Sequence, residues 1–176
     1  MSWPALSIGA RKHGHGKDTP SKTPLDYLRQ LIGERCERVD NPAGAILVLD
    51  IGPLGRWQER PDHGTIGWRQ LTILSPWRLQ SDIEVFCDWN ADGGTEDGAI
   101  LRAVRQLLGR TIVEAHCAPP GWDLLLRWSN GLTLHVFADT KEERADAWSL
   151  LGTDGLVLAA GPARRRASGW SARVVR

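Results

Sequence analysis

Two stretches of this sequence, Leu25-Asp-Tyr-Leu-Arg-Gln-Leu-Ile-Gly33 and Leu101-Arg-Ala-Val-Arg-Gln-Leu-Leu-Gly109, align with each other without a gap. They share their apolar positions, an Arg-Gln pair and a closing glycine. Each has the apolar spacing of an amphipathic helix that ends at its glycine. Two shorter echoes follow in the same order, Leu71-Thr-Ile-Leu74 with Leu132-Thr-Leu-His135 and Trp77-Arg-Leu79 with Trp148-Ser-Leu150. Self-similarity of this kind predicts that the chain contains two repeats of one structural unit.

Between these echoes, short apolar runs alternate with turn signals, which is typical of strands. We therefore expect each repeat to be one helix followed by an antiparallel meander of about five short strands. One repeat would bury too little apolar surface alone, so the two should pack or join. The predicted fold is α+β and sheet-dominated, an internal duplication whose repeats, 23–90 and 95–162, are related by a pseudo-two-fold axis.

The first helix has a predicted start and stop. Thr23 is the N-cap, Pro24 suits the first helical position and Gly33 ends the helix. The second helix is predicted from about Glu96 to Leu108. The residues expected on the two buried stripes are Leu25, Leu28, Leu31 and Ile32 in the first helix, and Ile100, Leu101, Val104, Leu107 and Leu108 in the second.

The strands are predicted from apolar runs between Pro, Gly and Asn turns. Asn130-Gly131 is the sharpest hairpin signal, because this pair tolerates positive φ. A long loop is expected over 52–67, and the run 83–89 alternates so that Ile83, Val85 and Cys87 share one face. The predicted strands are 34–39, 45–51, 68–75, 77–80 and 83–89 in the first repeat, and 111–117, 122–128, 132–137, 148–151 and 155–160 in the second.

Composition places the chain among ordinary globular proteins. It has 176 residues, 41% hydrophobic and 24% charged, with a net charge of +1. Residues 1–22 are predicted to be a flexible arm, 23–162 a single domain, and 163–176 a basic, loosely held tail. No apolar run approaches the roughly 20 residues of a membrane span. The N-terminus lacks the order of a secretory signal, so we expect a cytoplasmic protein that does not bind membranes.

Candidate catalytic and metal-binding groups are few. No nucleophile elbow, metalloprotease helix or dinucleotide fingerprint occurs. Asp50, Asp88, Asp123 and Asp139 are expected at strand ends, where a hydrolase could pair two of them but turn capping is commoner. The three cysteines, Cys36, Cys87 and Cys117, lack the close spacing of structural zinc sites and are expected to be buried as free thiols. Pairing of Cys117 with His135, or of Cys87 with His116, stays open. We expect no cofactor and no metal, and we favour a non-enzymatic protein.

Two places are candidate binding sites. The 52–67 loop carries Arg56, Trp57, Arg60 and His63, and arginine and tryptophan are residue types that concentrate binding energy at interfaces. Arg78 lies in an otherwise apolar strand. It either pairs with an acid such as Asp50 or Asp88, or points into a groove and binds an anionic group.

The aliphatic strand pattern also resembles a known group of proteins. The segments concerned are Leu71-Thr-Ile-Leu-Ser-Pro-Trp-Arg-Leu79, Trp122-Asp-Leu-Leu-Leu126, Asn130-Gly-Leu-Thr-Leu134, Trp148-Ser-Leu150 and Gly155-Leu-Val-Leu158. They resemble small uncharacterised bacterial proteins, some of which are similar to immunity proteins of bacterial toxin systems. This resemblance implies a protein that binds and blocks a partner, and it carries no catalytic residues to transfer.

The leading hypothesis is therefore a non-enzymatic bacterial binding protein that holds an unidentified protein partner, of immunity type if the resemblance applies. The first alternative is a small-molecule site, for binding or catalysis, between the two repeats and next to Arg78. A weaker alternative is nucleic-acid binding through the basic termini, where Arg164-Arg-Arg166 is the densest run. The near-neutral net charge and the lack of interleaved aromatic residues disfavour nucleic acid.

Overall fold

The computed structural model describes residues 23–56, 65–92, 98–118, 122–138, 146–153, 155–161 and 170–174. Within them, two short helices and eleven antiparallel strands form an α+β fold that is mostly sheet, as predicted. The helices are Pro24–Leu28 (α1) and Ala99–Val104 (α2). The strands are Cys36–Asp40 (β1), Leu47–Arg56 (β2), Thr65–Ile73 (β3), Trp77–Gln80 (β4), Val85–Asp88 (β5), Ile112–Ala118 (β6), Asp123–Trp128 (β7), Thr133–Val136 (β8), Trp148–Gly152 (β9), Leu156–Ala160 (β10) and Trp170–Val174 (β11). No helix in these ranges is long and apolar enough to cross a membrane.

The two helices end in the same way. Each continues into a 3₁₀ turn of sequence Arg-Gln-Leu, and each turn is followed by a glycine with positive φ, +94° at Gly33 and +71° at Gly109. Glycine reaches this region without the steric cost that a Cβ brings. The predicted start of α1 is confirmed, because Thr23 and Asp26 bond to each other's backbone N–H in a capping box. The predicted helix ends at glycine are therefore confirmed.

The buried stripes are narrower than predicted. Leu28 and Leu31 are fully buried in the first helix, and Ile100, Val104 and Leu107 in the second. Ile32 and Leu108, however, are exposed. Each follows the 3₁₀ turn, where the backbone has already left the helical path, so the 3.6-residue period no longer sets the side-chain direction. The predicted burial of Ile32 and Leu108 is wrong for this reason.

The strands form two sheets. One has the order β1-β2-β3-β9-β10-β11, and the other has the order β5-β4-β8-β7-β6. The antiparallel pairing is confirmed, but the five strands of each predicted repeat do not form one continuous meander. β4 leaves β3 and pairs with β8, with β5 on its other side, whereas β9 leaves β8 and pairs with β3, with β10 on its other side. Pro76 lies at the first of these crossings, and proline has no N–H to continue a ladder.

Contacts between the halves match each other in pairs. Arg35 and Thr111, each two residues after its helix-ending glycine, form an antiparallel bridge. On one side the Gly33 N–H donates to the Ile112 carbonyl (2.9 Å), and on the other the Gly109 N–H donates to the Cys36 carbonyl (2.7 Å). The bridge thus has equivalent neighbours on both sides. The duplication itself stays a prediction, and these contacts support it.

The tryptophans that open β4 and β9 also match. Trp77 and Trp148 are both fully buried. The Trp77 indole N–H donates to the Ala45 carbonyl, and the Trp148 indole N–H donates to the Trp122 carbonyl, each at 2.8 Å. These acceptors lie just before β2 and β7 respectively. Each indole therefore fixes the start of a strand in the sheet opposite its own, and satisfies its polar atom while the ring fills the core.

Several predicted boundaries need correction. The loop predicted over 52–67 is wrong at both ends, because β2 runs to Arg56 and β3 begins at Thr65, opposite it in the ladder. The prediction of a loosely held tail is wrong for Trp170–Val174, which pairs with β10 as β11. Ile83 precedes β5 and is almost wholly exposed, so it does not share a buried face with Cys87. The arm 1–22 and the residues 162–169 lie outside the described residues.

Candidate functional site

The five-stranded sheet has an outer face, directed away from the core. Along β4, Trp77 and Leu79 are buried whereas Arg78 and Gln80 are half-buried, which places Arg78 on the outer face. The same alternation places His135 outward on β8, between the buried Leu134 and Val136. Side chains alternate between the two faces of a strand, so the core residues dictate where these polar residues point.

One row of residues crosses this outer face through all five strands. Successive members lie directly opposite each other in the ladder. In order from edge to edge the row is Asp88, Arg78, His135, Leu125 and His116. We call it the arginine–histidine row. It brings together a cation, a carboxylate and two imidazoles that are far apart in the sequence.

Arg78 has few polar contacts in this row. Its guanidinium lies over the ring of Phe137, 5.7 Å from the centroid, and its Nε is buried and makes no hydrogen bond. Among the described residues, no carboxylate lies within ion-pair distance of Arg78. The expected partner Asp50 is in the other sheet, where it accepts hydrogen bonds from Arg38 and Gln70. Arg78 therefore keeps donors for a ligand that approaches the outer face.

His135 and Phe137 complete the surface around Arg78. Their rings are stacked with centroids 6.4 Å apart. Burial, and secondarily the positive charge of Arg78, lower the pKa of His135 from its ordinary value. The imidazole is consequently neutral at neutral pH and offers both a donor and an acceptor. The sequence analysis considered His135 only as a partner of Cys117 and did not single out Phe137. The alternation in Leu132–Phe137 carries the signal, since it places Thr133, His135 and Phe137 on one face.

The corresponding row of the other sheet serves as an internal comparison. Aligning the registers of the two ladders at Trp77 and Trp148 matches Arg78 with Ser149, because each follows its buried tryptophan. The full matched row is Ala159, Ser149, Thr72, Val48 and Asp40. At the positions matched to Asp88, Arg78 and His135 this row has Ala159, Ser149 and Thr72, so small or weakly polar residues suffice there. The charged and imidazole side chains at these three positions are additions that the sheet itself does not require.

A set of exposed apolar side chains adjoins this row. It surrounds β5, which is an edge strand of the same sheet. Its members are Ile83, Val85, Phe86 and Trp89. Clustered exposed apolar residues with polar neighbours mark interaction surfaces more often than isolated ones do. We call this set the β5 patch.

The other predicted binding residues lie in the β2–β3 connection. Arg56 ends β2, and its side chain is not described. Trp57, Arg60 and His63 lie outside the described residues, so the predicted contact surface of this loop stays a prediction.

The candidate catalytic and metal-binding groups do not converge. Cys36, Cys87 and Cys117 are buried free thiols, as expected. Cys117 is on the core side of the sheet and His135 on the outer side, and Cys87 and His116 lie on strands at opposite edges. Both open cysteine–histidine pairings are therefore wrong. Within the described residues, no three His, Cys, Asp or Glu side chains are grouped as a metal site would require.

The described carboxylates act as hydrogen-bond acceptors. Asp88 accepts from the Asn90 N–H at 2.9 Å, the turn-capping role that was favoured. Asp123 instead accepts from the Ala138 N–H, a residue distant in the sequence, at 2.7 Å. Asp50 was wrongly placed at a strand end. It lies within β2, because that strand continues to Arg56. Asp139 lies outside the described residues.

Comparisons with protein-family models, with curated proteins and with solved structures give no match to this chain.

Proposed function

We propose that this chain is a non-enzymatic binding protein that holds a protein partner on the outer face of its five-stranded sheet. The contact surface consists of Arg78, His135 and Phe137, continued by the β5 patch. The observation that carries the proposal is the environment of Arg78. Its guanidinium lies over the ring of Phe137, and its buried Nε has no hydrogen-bond partner. In the other sheet, the positions matched to Arg78 and His135 are occupied by Ser149 and Thr72. An arginine and an aromatic ring, rimmed by apolar side chains, form the composition of an interface hot spot.

The position of Arg78 also supports the protein-partner hypothesis over a small-molecule site between the repeats. It points away from the core, so a small-molecule site between the inner faces of the repeats would not include it. An anionic group on a partner surface could instead reach it from solvent. The bacterial and immunity-type assignments rest on the resemblance of the strand pattern alone.

Affinity capture from the native host tests the proposal. The bait variants are the wild type, Arg78→Ser, which copies the matched Ser149, and Arg29→Ser as a control on the exposed side of α1. We expect a stoichiometric protein partner that the wild type and Arg29→Ser retain and Arg78→Ser loses. Removing one partner of a desolvated charged contact costs about 2–5 kcal/mol, enough to abolish capture.

A fourth bait tests the predicted loop surface. It should replace 57–64 alone with a two-residue turn, because Arg56 and Thr65 pair in the ladder. Loss of the partner with this bait but not with Arg78→Ser would move the interface to the β2–β3 connection. Failure of all baits to capture a protein would refute the binding-protein proposal.

A further inference from the structure

Two strands occupy matching positions in the two sheets, yet their outer sides differ. β10 lies beside β9, and β5 lies beside β4, one strand beyond the two buried tryptophans. On its other side β10 pairs with β11, from Leu156 opposite Val174 to Ala160 opposite Trp170. Among the described residues, β5 pairs with β4 alone. The outer side of β10 is therefore paired with a further strand, whereas the outer side of β5 has no strand beside it among the described residues.

The open side of β5 has a backbone N–H directed toward it at Asp88, whereas the Asp88 carbonyl accepts from the Ala91 N–H at 3.1 Å. The Trp89 N–H donates to the Trp77 carbonyl at 3.0 Å, so Trp89 directs its backbone toward β4. Peptide groups alternate in direction along an antiparallel strand, which turns the Asp88 N–H away from β4 and toward the open side. An unpaired edge of this kind is a template for another strand.

The side chains on this edge are apolar as well as open. Ile83 is 96% exposed, Val85 52% and Trp89 40%. Strand addition would cover this surface while pairing the free Asp88 N–H, and both effects favour association. The β5 patch therefore fits an extended peptide segment better than a helix, which could not satisfy the ladder.

The acidic residues around β5 limit which residue types a partner strand can carry. Asp88 ends β5 and Glu84 directly precedes it, each two residues from Phe86. Asp82 and Asp92 lie farther out, beyond the two ends of the strand. A second copy of this chain pairing through its own β5 would bring the same acids into contact, and like charges across a ladder are destabilising. A strand with a basic residue opposite Phe86 would instead lie diagonally next to Glu84 and Asp88. β11 carries such a residue one place before the matched pair, since Arg173 lies opposite Val157, which precedes Leu158 as Phe86 precedes Cys87. The ladder of β5 shifts by one residue at Phe86, where Gln80 pairs with Val85.

We propose that β5 accepts an extended segment of a partner protein as an added antiparallel strand, and that this segment alternates apolar residues with a basic residue opposite Phe86. This inference rests on the proposed function and specifies which part of the partner binds. At Cys87 and Asp88 the expected register follows β11 on β10, because Cys87 opposite Leu79 matches Leu158 opposite Leu150. Before Cys87 the register shift at Phe86 displaces β5 by one residue relative to β10.

The chain's own C-terminal sequence supplies a probe. A fluorescein-labelled peptide of residues 169–176, Gly-Trp-Ser-Ala-Arg-Val-Val-Arg, is titrated with the full-length protein and followed by anisotropy. We expect binding to the wild type that Val85→Lys weakens at least about tenfold, since a lysine on an edge opposes both pairing and a basic strand. Val113→Lys, on the opposite edge and 48% exposed, is the matched control and should bind like the wild type.

A second peptide tests the charge rule. Changing its arginine by Arg173→Glu should weaken binding several-fold, because the new carboxylate would lie near Glu84 and Asp88. Amide NMR shifts of the wild type on adding the first peptide should centre on Phe86 and Asp88. Circular dichroism of both lysine variants checks that each is folded.

Several outcomes would overturn the inference. The peptide could fail to bind the wild type, or bind Val85→Lys equally well, which would place it at β10 or elsewhere. A wild-type dimer in sedimentation that Val85→Lys dissociates would make a second copy the occupant. A captured partner that depends on Arg78 but tolerates Val85→Lys would keep the proposed function and reject strand addition.

Discussion

Arg78 and His135 lie directly opposite each other on β4 and β8, with Phe137 in contact with both. Burial, and then the positive charge of Arg78, oppose protonation of the imidazole and lower the pKa of His135 below its ordinary 6.5. A neutral histidine beside a cation lets both side chains face the same ligand without mutual repulsion. The pKa of His135 therefore reports on the position of Arg78 at the outer face, and it can be measured by titration.

The first prediction concerns the pH dependence of this pair. Because the folded state holds His135 neutral where an unfolded histidine is protonated, the folded state binds fewer protons below pH 6.5. Stability is therefore fully present above that pH and falls as the pH drops through the folded pKa. NMR titration should show the pKa of His135 rising toward its ordinary value in Arg78→Ser, but not reaching it, since burial remains. An unchanged pKa in Arg78→Ser, with Arg29→Ser as control, would contradict the prediction.

The thiols provide a second prediction. Burial is the main cause that raises the pKa of Cys36 to about 12 and that of Cys117 to about 11, and it also raises the pKa of Cys87. At pH 8 the reactive thiolate is scarce in the folded protein. We expect a disulfide reagent to label all three thiols slowly in buffer and rapidly in urea. Cys36 should be slowest, because Asp50 and Glu37 also oppose its ionisation, and rapid native labelling of Cys36 would refute this.

A third prediction uses the matched tryptophans. Trp77→Phe and Trp148→Phe each remove an indole donor from a backbone carbonyl and leave a void in the core. Each should lower the free energy of unfolding by about 2–3 kcal/mol, and by similar amounts. Trp89→Phe, at a partly exposed position, should cost much less. Urea denaturation measures all three, and a large difference between the first two would show that the sites are not equivalent.

Asp50 supports a fourth prediction. It is 1% exposed and accepts hydrogen bonds from Arg38 and from Gln70 Nε2 at 2.9 Å. Arg38→Met leaves this buried carboxylate under-satisfied and should cost about 1–3 kcal/mol of unfolding free energy. Arg35→Met, whose ion pair with Glu37 is exposed, should cost roughly 0–1 kcal/mol.

A double-mutant cycle separates the Arg38–Asp50 interaction from other effects of the substitution. If loss of this interaction causes the fall in unfolding free energy, Arg38→Met should destabilise the protein much less in an Asp50→Asn background. Equal costs in the two backgrounds would mean that Arg38 acts through packing of its aliphatic stem and not through Asp50.

Local features could be predicted from the sequence wherever neighbouring residues decide the conformation. The capping box at Thr23, the helix ends at Gly33 and Gly109, and the Asn130-Gly131 hairpin all depend on residues a few positions apart. The inward position of Cys36 followed from strand alternation. The tryptophans that open β4 and β9 were also predicted to be equivalent, because Trp77-Arg-Leu79 and Trp148-Ser-Leu150 are similar in sequence.

The sequence by itself therefore determined the helices, most strand segments and the near repetition of its two halves, because capping, turn conformation and apolar period are local properties. Only the tertiary structure decided that β4 pairs with β8 and β9 with β3, and that Trp170–Val174 pairs with β10. It also decided that Arg78 lies next to His135 and Phe137. Strand pairing joins residues distant in the chain, and its register decides which side chains share a row. The candidate site is formed by such pairings, so it became visible only when both sheets were in place.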